Sequence, residues 1–139
     1  MKAIIVDTNI IFSTLLRRNK KIRDIFFSQE NVHLYSCKYA IVELFTFKEK
    51  IQKYSALNED ELLDLLSNLL KKIHIFDENT LNEECLKNAY KLCHDIDEKD
   101  IPFVAVTMEL DGLLWTGDKK LVKGLKLKGF NAFFEIENL

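Results

Sequence analysis

The chain has 139 residues, 47% hydrophobic and 30% charged, which is enough apolar material for a packed domain and too much for a disordered one. The formal net charge of −2 excludes a protein that binds polyanions through overall charge. No uncharged run approaches the roughly 18 residues of a membrane span. Three cysteines with no C-x-x-C pair fit reduced, buried thiols in a cytoplasmic protein better than a disulfide framework or a zinc site.

One domain over residues 1–139 is expected, because one proline, four glycines and no linker-like tract leave no boundary. Residues 3–6 (AIIV) are too short for a secretory leader and read as a first strand, with Asp7 directly after it. RRNKKIR (17–23) then holds five basic residues and no acid. Residues 32–35 read as a second strand. Residues 37–51 read as one helix with its apolar stripe on Ile41, Leu44, Phe45 and Ile51. Glu43 lies away from the centre of that stripe, with Tyr39 and Phe47 one turn away on either side. It reads equally as a solvated acid whose neighbours pass it and as a working carboxylate. Asn58, with Glu61 three residues on, resembles a capping box. It opens a helix lined by Leu62, Leu65, Leu66, Leu69 and Leu70. A third strand is expected at 73–76. Leu81, Cys85, Ala89, Leu92, Cys93 and Ile96 form the next helical stripe, which puts two cysteines on a buried face. Asp100 is a good N-cap, with Pro102 in the first turn, for a helix lined by Phe103, Val106, Thr107 and Leu110. A fourth strand at 113–116 runs onto Gly117, expected to turn the backbone where a side chain would crowd a cleft, and then onto Asp118. KKLVKGLKLK (119–128) carries five lysines and no acid, and taken alone is a solvated face. Residues 132–136 complete a fifth strand.

Strands alternating with helices predict an α/β fold whose parallel sheet is covered on both faces. Ligands of such sheets bind beyond the carboxyl ends of the strands. Asp7, Asp100 and Asp118 all belong at that edge. Each alone reads as a turn former or helix cap. Together they raise an electrostatic problem, since two like charges about 5 Å apart repel by roughly 3 kcal/mol at an effective dielectric near 20. A hard divalent cation, Mg²⁺ or Mn²⁺, removes the problem because it prefers carboxylate oxygens.

IIVDTNI, the mid-helix Glu43, DEKDIPFVAVTMEL and LLWTGDKKL together resemble the PIN domain, the small nuclease domain of VapC-type toxins and RNA-processing factors. The resemblance covers nearly the whole chain in order and spacing. It implies a three-layer α/β/α sandwich with a five-stranded parallel sheet in the order 3-2-1-4-5. It also implies a ribonuclease using Mg²⁺ or Mn²⁺, often as a homodimer. Carried over residue by residue, the four acids are Asp7, Glu43, Asp100 and Asp118, with Asp97 as a further contributor, direct or through water. Asn9 would hold Asp7 or a metal-bound water, and Thr116 would support the ligands from behind.

The expected reaction is hydrolysis of phosphodiester bonds in single-stranded RNA. Lys119 and Lys120 beside Asp118 would contact phosphates, as would Arg17 and Arg18, with Lys20, Lys21 and Arg23, on the other side. His33, His74 and His94 have no ligand spacing and take surface or structural roles. The domain suits the toxin of a toxin–antitoxin pair, with an antitoxin protein over the acidic cleft, and suits an RNA-processing nuclease equally. An aspartate-nucleophile phosphohydrolase would want an acid two residues after Asp7, where this chain has Asn9. A receiver-like module would want paired acids at the first strand, where Asp7 stands alone. A PIN-fold scaffold without turnover is a further alternative, against which the presence of all four acids counts.

Overall fold

The centre of the sheet is β1 (Ala3–Val6), and the sheet is built outward from it. Ile4, Ile5 and Val6 point alternately to opposite faces, yet all three are buried, so both faces of the sheet are covered. The computed structural model describes residues 2–16, 19–28 and 32–136. Within them β1 is followed by α1 (Thr8–Leu15), α2 (Lys20–Ser28), β2 (His33–Cys37), α3 (Lys38–Thr46), α4 (Lys48–Ser55) and α5 (Glu59–Leu70). Then come β3 (Ile73–Phe76), α6 (Glu83–Cys93), α7 (Ile101–Glu109), β4 (Leu113–Trp115) and α8 (Lys119–Leu127), with 3₁₀ turns at Glu78–Thr80 and Glu98–Asp100. The strands are parallel in the order β3-β2-β1-β4.

The expected fifth strand contracts to one bridge. Phe133 pairs with Leu114 in parallel, on the free edge of β4 where a fifth strand was expected. Leu114 N–H donates to the Ala132 carbonyl and Phe134 N–H to the Leu114 carbonyl, each at 2.8 Å. With β4 only three residues long, there is little edge to pair. Side chains hold the segment instead: Phe134 meets Trp115 edge-on at 5.1 Å, and Lys126 lies over the Phe133 ring.

The helix expected over 37–51 is two helices, broken at Phe47, whose backbone (φ −102°, ψ 18°) leaves the helical region. Its apolar stripe is also corrected. Leu44 and Ile51 are buried, but Ile41 is exposed and Phe45 is 78% exposed; Ala40 and Cys37 complete the buried face. The capping box at α5 is present, with Asn58 accepting from Glu61 N–H and the Glu61 carboxylate accepting from Asn58 N–H. In α7 all of Phe103, Val104, Ala105, Val106 and Thr107 are buried, so it has no solvent face; it packs against both the sheet and α6.

The glycine on which the sheet depends is Gly112, just before β4. A Cβ there would lie 2.5 Å from the Ala3 carbonyl oxygen and 2.7 Å from Ile5 Cδ1. At Gly117 the nearest atom would be Asn9 Oδ1 at 3.6 Å, an ordinary contact, and its φ is not left-handed. The crowding expected at Gly117 is therefore found at Gly112. Gly112→Ala should lower stability in urea unfolding by about 1–3 kcal/mol, because the backbone of β1 cannot step aside. Gly117→Ala should stay within about 0.5 kcal/mol of wild type. Equal effects would contradict this assignment.

Candidate active site

Three aspartates stand at N-cap positions where the chain passes the carboxyl edge of the sheet: Asp7 before α1, Asp100 before α7 and Asp118 before α8. Only Asp118 acts as a cap, its Oδ1 accepting from Leu121 N–H at 3.1 Å. The side chains of Asp7 and Asp100 make no capping bond, although both are buried, with 6% and 8% exposure. The cap role expected of Asp100 is thus not taken up. Its Oδ2 is buried without a hydrogen-bond partner among the described residues, which costs about 1–3 kcal/mol in a folded protein.

The pairing of β1 with β4 sets the geometry around Asp7. Asp7 N–H donates to the Trp115 carbonyl at 2.9 Å, carrying the ladder one residue past β1 and bringing Asp7 against Thr116. Thr116 Oγ1 donates to Asp7 Oδ2 at 2.7 Å. Asn9 Nδ2 reaches the same oxygen at 3.2 Å and Thr116 Oγ1 at 3.3 Å, while Asn9 Oδ1 accepts from Gly117 N–H at 3.0 Å. Thr116 Oγ1 also accepts from Asp118 N–H at 3.1 Å. Asn9 and Thr116 therefore tie the end of β1 to the turn after β4 and fix one oxygen of Asp7.

Glu43, on α3, is half-buried and accepts from Thr8 Oγ1 at 2.7 Å. Thr8 itself is buried. The D-T-N run made Thr8 visible in the sequence, but nothing there pointed to a residue 35 positions away. Glu78 was missed as well. Its two carboxylate oxygens accept from the first N–H groups of α3, Lys38 at 2.8 Å and Tyr39 at 2.9 Å. It caps, from a distant turn, the helix that carries Glu43, whose own N-cap residue Cys37 makes no side-chain bond.

The acids feel one another. Burial pushes Asp100 up to about 7, and the charges of Asp7, Asp97, Asp118 and Glu43 add to it. Burial pushes Asp7 up to about 6; Thr116 and the Thr8 backbone pull it back, while Glu43 and Asp118 push it further. Asp97 is exposed and its Oδ1 accepts from Lys99 N–H, capping the 3₁₀ turn before α7. Among the described residues no three His, Cys, Asp or Glu side chains meet as a formed metal-ligand set. Glu43 is held by Thr8, one oxygen of Asp118 by its cap, and one oxygen of Asp7 by Thr116 and Asn9. The donors are nonetheless suited to a hard divalent cation. All are carboxylate oxygens, two carboxyls are raised by burial with no cation against them, and one buried oxygen has no partner.

Beside Asp118 a groove of about 590 Å³ runs along α8, lined among others by Thr116, Lys119, Lys123 and Lys126. Lys120 is exposed on α8 but does not line it. Arg17 and Arg18 lie outside the described residues; Lys20 and Lys21 are exposed at the start of α2. His74 lies beside Tyr35 and His94 is stacked on Tyr90. The three cysteines are free, Cys37 and Cys93 buried and Cys85 partly so. No described helix is long and apolar enough to cross a membrane.

Residues 5–133 match the PIN domain family. An uncharacterized protein of Methanocaldococcus jannaschii is 29% identical over 142 residues, covering 98% of this chain and 81% of that protein. Among solved structures, a chain of VapBC2 from Rickettsia felis, bound to a DNA fragment from its promoter, superposes with a TM-score of 0.64 at 14% identity, over 94% of this chain and 95% of that one. A chain of DNA-bound VapBC from Salmonella typhimurium gives 0.67 at 15% identity, over 88% and 92%. At these identities the structural likeness is one of fold.

A raised carboxyl contributes stability that is full below its unfolded value and is lost as pH rises through its folded one. For Asp100 and Asp7 the loss runs from about pH 4 to about 6–7 in metal-free protein. Asp100→Asn cannot ionise and escapes its share. Its urea-unfolding stability relative to wild type should therefore increase as pH rises from about 4 to about 8 in chelator. A difference constant across that range would contradict the burial of a charge at Asp100.

Proposed function

The chain belongs to the PIN domain family, and from that premise we propose that it is a divalent-metal-dependent ribonuclease that hydrolyses phosphodiester bonds of single-stranded RNA. The observation that carries the reading is the pair of buried aspartates, Asp7 and Asp100, which decline to cap their helices and instead share the sheet edge with Glu43 and Asp118. Turn formers and caps do not need burial, and buried carboxylates without cations are destabilising.

In this reading Asp7, Glu43, Asp100 and Asp118 hold Mg²⁺ or Mn²⁺, and Asp97 contributes from the exposed side. When bound, the cation supplies neutralising charge at the attacked phosphate and acidifies a water to a nucleophile near neutral pH. Thr116 and Asn9 keep Asp7 oriented, and Thr8 keeps Glu43 facing the cleft. Lys119, at the first turn of α8, offers a cation to the substrate phosphates.

The fold-level likeness to chains of VapBC complexes supports the role of toxin in a toxin–antitoxin pair, with an antitoxin protein over the acidic cleft and a homodimer as the working unit. Exposed apolar side chains on α3 and α5, Ile41, Val42, Phe45 and Leu63, support a protein interface, since such a patch is unusual on a free monomer. A cytoplasmic location fits the free thiols. The second reading, a scaffold without turnover, draws on the absence of a formed metal-ligand set among the described residues.

Purified protein incubated with a labelled single-stranded RNA should cleave it with Mn²⁺ and not with chelator. Asp7→Asn and Asp100→Asn should each lower the rate by roughly a hundredfold or more, with folding confirmed by circular dichroism. Cleavage in chelator, or wild-type rates from both variants, would overturn the assignment. RNA binding without cleavage by the wild type would favour the scaffold.

A further inference from the structure

The five lysines of the 119–128 run are not equivalent. Lys128 is spent: its Nζ is paired with the Asp95 carboxylate and the Leu92 carbonyl. Lys120 does not line the groove beside Asp118. Lys119, Lys123 and Lys126 recur at i, i+4 and i+7, so they share one face of α8, and all three line that groove. The buried face of the helix is carried by Leu121 and Leu125, on the other side. Lys119 and Lys123 make no ion pair among the described residues. Lys126 also lies over the Phe133 ring, and its one ion pair is long, 3.9 Å to Glu135 with both side chains about half exposed, so that pair is weak.

The groove is not only basic. Val122 and Leu127 contribute its apolar lining, and Leu127 is 81% exposed, an unusual position for a leucine on a lysine-rich helix. Cations in a row are the feature with which proteins follow the backbone of a single strand; Val122 and Leu127 add apolar contact beside them, without an aromatic face on which a base could stack. At its other end the groove opens onto Thr116, Gly117 and Asp118.

We propose that this groove is a binding track for single-stranded RNA, with Lys119, Lys123 and Lys126 following consecutive stretches of its backbone away from the acidic site. The proposal deepens the nuclease reading and rests on it. The track is one-sided, so the strand approaches the carboxylates along α8, and the first phosphate beyond the track is the one delivered to Asp118. Seven residues of helix span roughly 10 Å along its axis, so the track accommodates a short stretch of chain rather than a single phosphate.

The test is binding, measured without turnover. Fluorescence anisotropy with a labelled, unstructured RNA in chelator, over a series of salt concentrations, gives the affinity and its salt slope. Each phosphate contact on a single strand contributes about 0.7 to that slope, so Lys119→Gln/Lys123→Gln/Lys126→Gln should lower it by about 2 and weaken binding roughly tenfold or more at low salt. Lys87→Gln, an exposed residue of α6, should change neither. All the substituted side chains are exposed, and unchanged thermal midpoints confirm folding. A wild type that binds with a steep slope and a triple variant with the same slope overturns the track and leaves the nuclease reading standing. A wild type with no salt-dependent RNA binding in chelator likewise overturns the track, while the nuclease reading falls only if RNA is not cleaved with Mn²⁺.

Discussion

Burying two carboxylates at the edge of one sheet, within reach of two more, is the constraint around which this molecule is arranged. Asp7 and Asp100 are pushed up to about 6 and about 7, first by burial and then by their acidic neighbours. Each unit of such a shift corresponds to about 1.4 kcal/mol between the two protonation states. A chain selected only for stability would replace at least one of these groups. An Asn at position 100 would occupy the same space without charge. The uncompensated carboxylates are understandable if a cation completes the site, and the hydrogen bonds from Thr116 and Asn9 keep Asp7 in place without neutralising it.

That support comes almost entirely from the junction of β1 with β4. The ladder from Ile4–Leu113 to Val6–Trp115 continues through the Asp7 N–H, so the register of two strands determines that Asp7 meets Thr116. Asn9 then bridges both to Gly117. Gly112 permits the approach by omitting the atom that would strike the Ala3 carbonyl. Behind β4, Trp115 stacks on Phe26 of α2 and meets Phe134 edge-on, which anchors the strand from both neighbours. Glu43 is positioned separately, through Thr8 and through the Glu78 cap on α3. The two halves of the site thus have different supports, and a substitution in one need not disturb the other.

Much of this was legible in the chain because it is local. Acids immediately after apolar runs, a capping box at Asn58, and the i, i+3, i+4 leucines of α5 are patterns of neighbours, and they survive in the fold. The failures are of two kinds. Some contacts join residues far apart in the chain, as Thr8 with Glu43 and Glu78 with Lys38 do, and no periodicity encodes them. Other features turn on tertiary packing overriding a pattern. The break at Phe47 has no glycine or proline to announce it, and the left-handed end of α4 falls on Ala56. Ile41 and Phe45 obey helical periodicity but are left exposed. The fifth strand has the composition of one, yet β4 offers it too little edge.

The most direct measurement is the effect of Mn²⁺ on thermal stability. A ligand that binds only the folded state raises the midpoint by mass action. Chelator-stripped wild type near pH 8 should gain several degrees as Mn²⁺ is added, at roughly 3–4 °C per kcal/mol for a domain of this size. Asp100→Asn should begin with a higher midpoint and gain little. If the wild-type midpoint does not move with Mn²⁺, or Asp100→Asn gains as much, the carboxylates are not a cation site and the account is contradicted.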